Sequence, residues 1–155
     1  MADEMPAKPT YTVLLVDDNE TILRALHNYL ERKGFNLLEA RDGEEALLIA
    51  ECYPSIIHVL VTDLVMGRMN GGELIHRLVP LRPEMQVVIM SGYHDQIMVQ
   101  HAITPLAPVL QKPFRPKKLL ATIEEVLAKP ESERTVAYLA QPLTTALQHA
   151  QASGA

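Results

Sequence analysis

The chain has little cysteine, little clustered positive charge and no long apolar run, and each shortage closes off a class of protein. Cys52 is the lone cysteine among 155 residues, so no intrachain disulfide can form, and its place in a helical pattern reads as a buried structural thiol rather than a reactive one. Fourteen Lys and Arg stand against 19 Asp and Glu, a formal net charge of -5. Neutralising phosphates needs clustered basic side chains, and the one short basic run, Arg115, Pro116, Lys117 and Lys118, reads as a solvated helix start; no nucleic-acid partner is expected. No apolar stretch approaches the ~18 residues of a membrane-spanning helix. The leading MADEMPAKPT carries acids and prolines where a signal peptide would carry an apolar core. These shortages point to a cytoplasmic protein without a membrane partner, and no solenoid repeat is present.

What is present suits one core. Apolar residues make up 48% and charged residues 21%, and the length fits a single domain of the usual ~100 to 150 residues with a short appendage. Residues 1–10 read as a flexible leader. Thr12 to Val16 is a β-branched apolar run that stops at Asp17-Asp18-Asn19, as a strand buried on both faces would. Ile22, Leu23, Leu26, Tyr29 and Leu30 then recur at helical spacing, with Asn19 or Asp18 as the N-cap and Gly34 as the stop. Phe35 to Ala40 predicts a second strand, and Asp42-Gly-Glu-Glu opens a helix through Ala46, Leu47, Ala50 and Cys52 that Pro54 cannot continue. Ile57 to Thr62 predicts a third strand ending at Asp63, followed by a loop through Gly71-Gly72 and a helix from Glu73 to Val79. Gln86 to Met90 predicts a fourth strand ending at Ser91-Gly92, and a helix covers about Asp95 to Ala102. Val109 to Gln111 predicts a fifth strand ending at Lys112-Pro113, and a last helix runs from about Arg115 to Ala128.

Alternating strands and helices with short connections predict an α/β fold, a doubly wound parallel sheet with helices on both faces. In such sheets ligands bind beyond the C-terminal ends of the strands, where every polar residue just named falls. Asp17, Asp18 and Asp63 would converge there if their strands are neighbours. Convergent carboxylates repel one another unless a cation intervenes, and hard oxygen donors suit Mg²⁺. Lys112 adds a positive charge, Ser91 a hydroxyl, and Gly92 a backbone N–H that no side chain obstructs. Phosphoryl transfer needs that set, with Asp63 as the nucleophile. Taken singly, each element has a plainer explanation: an Asp pair caps a helix, and Ser-Gly and Lys-Pro make turns. Their joint placement at successive strand ends favours chemistry.

Those residues resemble the receiver domains of response regulators in two-component signalling, over about residues 11 to 128. Val13-Leu-Leu-Val-Asp-Asp-Asn19 is similar to the family's first strand and acidic pair, and Thr62-Asp-Leu-Val-Met66 to its phosphoacceptor strand end. Met90-Ser-Gly92 and Gln111-Lys-Pro-Phe114 are similar to its two remaining signatures, in wording close to receivers of hybrid histidine kinases. The resemblance implies a flavodoxin-like five-stranded sheet of order 2-1-3-4-5. It implies that Asp63 takes a phosphoryl group from a phosphohistidine of a sensor histidine kinase or histidine phosphotransfer protein. Mg²⁺ would be held by Asp18, Asp63 and the Val65 carbonyl, with Asp17 acting mainly through water. Ser91, Lys112 and the N–H groups of Leu64 and Gly92 would bind phosphoryl oxygens. The Lys112-Pro113 peptide would be cis. Such a chain is not an enzyme beyond its own phosphorylation and dephosphorylation, and it signals to an unknown downstream protein by contact.

Three positions depart from the family pattern. Gly67 replaces a usual proline and loosens the loop after Asp63. Val109 occupies the switch position, where the family has an aromatic ring. Thr104-Pro105 replaces a glycine-containing helix ending. Output is therefore expected through helix or loop rearrangement without an aromatic switch. The alternative is a constitutive interaction module that keeps the Mg²⁺ site but has no phosphorylation-dependent output. Val65 and Tyr93 flank the site in a way that predicts slow dephosphorylation. The expected division is a 1–10 leader, an 11–129 receiver domain and a 130–155 linker and amphipathic tail. In the tail, Val136, Leu139, Leu143 and Leu147 recur at helical spacing, interrupted by Pro142. A frayed terminal helix competes there with docking to a partner or to a second copy in a homodimer.

Overall fold

Thr12–Val16 (β1) is buried along its whole length because its alternate side chains serve two different cores. Leu14 and Val16 join one apolar cluster, Val13 and Leu15 the other, so the strand shows no polar face in the sequence. The structure is a computed structural model that describes residues 9–92 and 107–130. Within them β1 is followed by α1 (Glu20–Arg32), β2 (Asn36–Ala40), α2 (Gly43–Cys52), β3 (Val59–Asp63), α3 (Gly71–Leu78), β4 (Gln86–Ser91), β5 (Val109–Gln111) and α4 (Pro116–Ala128). The helix expected near Asp95 to Ala102, Thr104-Pro105, Tyr93 and the tail pattern from Val136 to Leu147 lie outside the described residues.

The sheet is parallel with strand order β2-β1-β3-β4-β5. On one face α1 and α4 bury Leu23, Leu26, Leu30, Leu119, Ile123 and Val126 against Val59, Val61, Val88 and Met90. On the other, α2 and α3 cover Leu60, Val87 and Ile89 with Ala46, Ala50, Leu74, Ile75 and Leu78. Burying a leucine completely contributes about 2 kcal/mol. Three such leucines on one stripe hold α1 to the sheet.

Local chemistry sets the element ends. Asn19 caps α1, its Oδ1 accepting from the N–H groups of Thr21 and Ile22. Gly34, at φ 95°, stops it and donates to the Glu31 carbonyl; a side chain there would be strained in the left-handed region. Asn70 caps α3 by accepting from Glu73 N–H, so that helix starts at Gly71, two residues earlier than the glycine pair suggests. Pro116 opens α4, where a missing N–H costs nothing.

Cys52 is exposed, which corrects the expectation of a buried thiol. The buried stripe of α2 is Gly43, Ala46 and Ala50. Two residues beyond Ala50, at about 100° per residue, Cys52 has turned to the opposite side.

Candidate functional site

The connection from β1 goes to β2 on one side and the chain then crosses to β3 on the other, so β1 and β3 meet where strand order reverses. Val16 pairs with Thr62, which brings the next residues, Asp17 and Asp63, side by side. Asp63 pairs with Met90 on β4, placing Ser91 one residue beyond. Ser91 pairs with Gln111, and its carbonyl accepts the Lys112 N–H at 2.9 Å. Register alone thus gathers the ends of four strands.

One carboxylate oxygen each of Asp17, Asp18 and Asp63 lie within 4.8 Å of one another. Asp17 is fully buried, and both its oxygens are occupied: Oδ1 accepts from Asn19 N–H at 2.9 Å and Oδ2 from Lys112 Nζ at 2.7 Å. The same ammonium donates to Asp63 Oδ2 at 3.2 Å. Asp18 opens to solvent beside them. Burial pushes the Asp63 carboxyl above the usual carboxylate range. The Lys112 charge works against that, Asp17 adds to it, and the bonds from Lys112 and the Val65 N–H oppose it. Burial also weighs on the Lys112 ammonium, but the bond it donates to Asp17 and the charges of Asp63 and Asp17 outweigh it and raise its pKa. One ammonium facing three carboxylates leaves an excess of negative charge. An all-oxygen donor set of this kind fits a hard divalent cation.

Among the other expected site residues, Ser91 is buried at the end of β4. Gly92 is exposed, with nothing within 4 Å of the place a Cβ would occupy. Val65 is 40% exposed. Val109 pairs with Ile89 and packs half-buried on the α2–α3 side of the sheet, a site without an aromatic ring. The Lys112-Pro113 peptide is cis.

The Leu64 N–H donates to the Met90 carbonyl at 2.9 Å, continuing the β3–β4 ladder. The backbone N–H of Val65 helps hold the Asp63 pKa down.

Gly71 had no assigned role in the sequence and is a site residue by exclusion of volume. A Cβ on it would sit 2.9 Å from Leu64 Cα and closer still to the Asp63 carbonyl oxygen. Its N–H donates to the Leu64 carbonyl at 2.9 Å, closing the loop that follows Asp63. Asn-Gly-Gly reads as a turn in sequence; the capping spacing from Asn70 to Glu73 is the signal that could have placed the helix start at Gly71.

Comparison with known proteins agrees with this geometry. The family model described as the response regulator receiver domain matches residues 13–124. The sensor kinase CckA of Brucella abortus (strain 2308) is 32% identical over 119 residues, which take in 76% of this chain but only 13% of that protein. The response regulator receiver protein CpdR of the same organism is 29% identical over 116 residues, 74% of this chain and 95% of its own length. The crystal structure of a CheY-like response regulator receiver domain protein from Methanospirillum hungatei JF-1 superposes with a TM-score of 0.72 at 28% identity, covering 81% of this chain and 99% of that one. Among the described residues no helix is long and apolar enough to cross a membrane.

Proposed function

The chain belongs to the response regulator receiver domain family of two-component signalling, and from that premise we propose that Asp63 is its phosphoacceptor. The observation that carries this is the buried Asp63 carboxylate held by Lys112 beside Asp17 and Asp18. A carboxylate oxygen of Asp63 attacks phosphorus of a partner's phosphohistidine. The new P–O bond forms an acyl phosphate as the P–N bond breaks, and the imidazole leaves with the bonding electron pair and takes a proton from solvent. Lys112 then holds a phosphoryl oxygen, joined by Ser91 and by the N–H groups of Gly92 and Val65. The Val65 N–H takes that role in this reading, supported by the Leu64 N–H already donating to the Met90 carbonyl.

Asp18, Asp63 and the Val65 carbonyl would hold Mg²⁺, which supplies charge neutralisation for the transferred group. Asp17 has both oxygens engaged, which supports a role through water. The receiver spans 11–129, with a linker and tail over 130–155. The phosphoryl donor is a sensor histidine kinase or a histidine phosphotransfer protein. Output reaches a downstream protein by contact, without an aromatic ring at Val109.

Intact mass after incubation with Mg²⁺ and a small phosphodonor tests the proposal: one phosphoryl adduct on the wild type and none on Asp63→Asn. No adduct on either favours a constitutive interaction module, the reading that Val109 supports. For the output, beryllofluoride with Mg²⁺ should shift the amides of Ser91 and of 94–108 in NMR spectra. Unchanged amides there would remove the phosphorylation-dependent readout.

A further inference from the structure

The loop from Leu64 to Asn70 joins Asp63, the last residue of β3, to α3 and carries Val65, whose carbonyl is assigned to Mg²⁺ above. Its ends are tied by the Gly71 N–H to the Leu64 carbonyl. Between them, Gly67 and Arg68 are exposed, and nothing lies within 4 Å of a Cβ placed on Gly67. The middle of the loop is held instead by two methionines, Met66 and Met69, each 5% exposed.

Met69 packs on the first residue of α2. A Cβ on Gly43 would lie 2.6 Å from Met69 Sδ, 2.8 Å from its Cβ and 2.9 Å from its Cγ. Because the Met69 Cβ is itself that close, rotating the thioether cannot relieve the overlap, and the loop would have to move. The opposing wall is fixed: Asp42 caps α2 through Glu45 N–H at 2.8 Å, and Ala46 and Ala50 are buried against the sheet. The cleft lined by Gly43, Gly67, Arg68 and Met69 is also lined by Asp18, one of the three clustered carboxylates.

We propose that Met69, seated on the bare backbone of Gly43, is a positioning residue that fixes the Asp63–Asn70 loop and thereby sets the affinity of the acidic cluster for Mg²⁺. The inference rests on the metal assignment above. Supporting groups around metal ligands commonly change affinity by tenfold or more when removed. Here the support is steric rather than a hydrogen bond.

Mg²⁺ titration followed by NMR chemical shifts, with hydrogen exchange of the Gly71 amide in metal-free protein, provides the test. Gly43→Ala should weaken Mg²⁺ binding about tenfold and speed Gly71 exchange. Met69→Ala should do the same, and the double variant should be little worse than either, since both disrupt the same packing. Met69→Leu, which refills the space, should stay within about threefold of the wild type. If Gly43→Ala does not fold, the Met69 pair decides: Ala weakened and Leu retained supports the proposal, and equal affinity for wild type, Ala and Leu overturns it. Folded variants that bind as the wild type, or effects that simply add, overturn it as well. A wild type that binds no Mg²⁺ overturns the metal assignment itself, and the proposal falls with it, which is a different result from unaltered variants.

Discussion

Replacing Lys112 by methionine keeps the unbranched stem and removes the only ammonium that contacts Asp17 and Asp63 among the described residues. Stripping one partner from a fully buried ion pair costs about 3–5 kcal/mol. Lys112 is 20% exposed and Asp63 10%, so solvent screens part of the loss, and a destabilisation of about 2 kcal/mol is expected in metal-free buffer at neutral pH. The sign of the pH dependence follows from Asp63, whose folded pKa is raised above 3.8. Between 3.8 and the folded value the native state binds more protons than the unfolded chain, so this group's contribution falls as pH rises through that window. Without Lys112 the opposing charge is gone and the window extends upward. The cost of Lys112→Met should therefore shrink in acid, where Asp63 is protonated in both states, and reach its full size near neutrality. Urea unfolding of both proteins at about pH 3 and pH 7.5 measures it, and Mg²⁺ at about a hundredfold its Kd should return about 2.7 kcal/mol by mass action. Equal stability at neutral pH, or a loss that persists undiminished in acid, would refute the reasoning.

Gly71→Ala should cost about 3 kcal/mol, because the backbone of Asp63 and Leu64 occupies the space. Gly67→Ala, facing open space without a positive φ, should be neutral or stabilising by about 0.5 kcal/mol; urea midpoints that reverse the two would contradict this loop geometry. Gln86 is buried with neither side-chain amide atom bonded among the described residues. Gln86→Met should therefore stabilise by about 1–3 kcal/mol, and a lower unfolding midpoint would show that the amide is satisfied. His58 accepts the Thr12 N–H at Nδ1. Burial lowers its pKa below 6.5 while Glu84 pulls the other way, so its contribution to stability is complete above 6.5 and declines as pH falls below it. NMR titration of the imidazole should give a midpoint under 6.5, and a midpoint above it would contradict the burial.

Much of this was legible in the sequence because the signals were local. Unbroken apolar runs such as Thr12–Val16 end in polar residues that could only lie at one edge of a parallel sheet. Val109–Gln111 and the stop at Gly34 carried equally clear punctuation. What could not be read depends on contacts distant along the chain. The Leu64 amide is taken by Met90 through strand pairing, a fact of register. The demand for glycine at 71 and 43 comes from the Asp63 backbone and from Met69, neither of which a local pattern reveals. Cys52 misled because Ala46, Ala50 and Cys52 look like one apolar series, whereas the helix turns the last of them outward.

Borohydride reduces an aspartyl acyl phosphate to homoserine, so treating phosphodonor-incubated protein and sequencing its peptides by tandem mass spectrometry locates the acceptor directly. With donor and Mg²⁺ present, homoserine should appear at position 63, and it should vanish when either is withheld. Homoserine at 17 or 18, or none at 63 under conditions that load a phosphoryl group, would contradict the assignment of Asp63 as the acceptor.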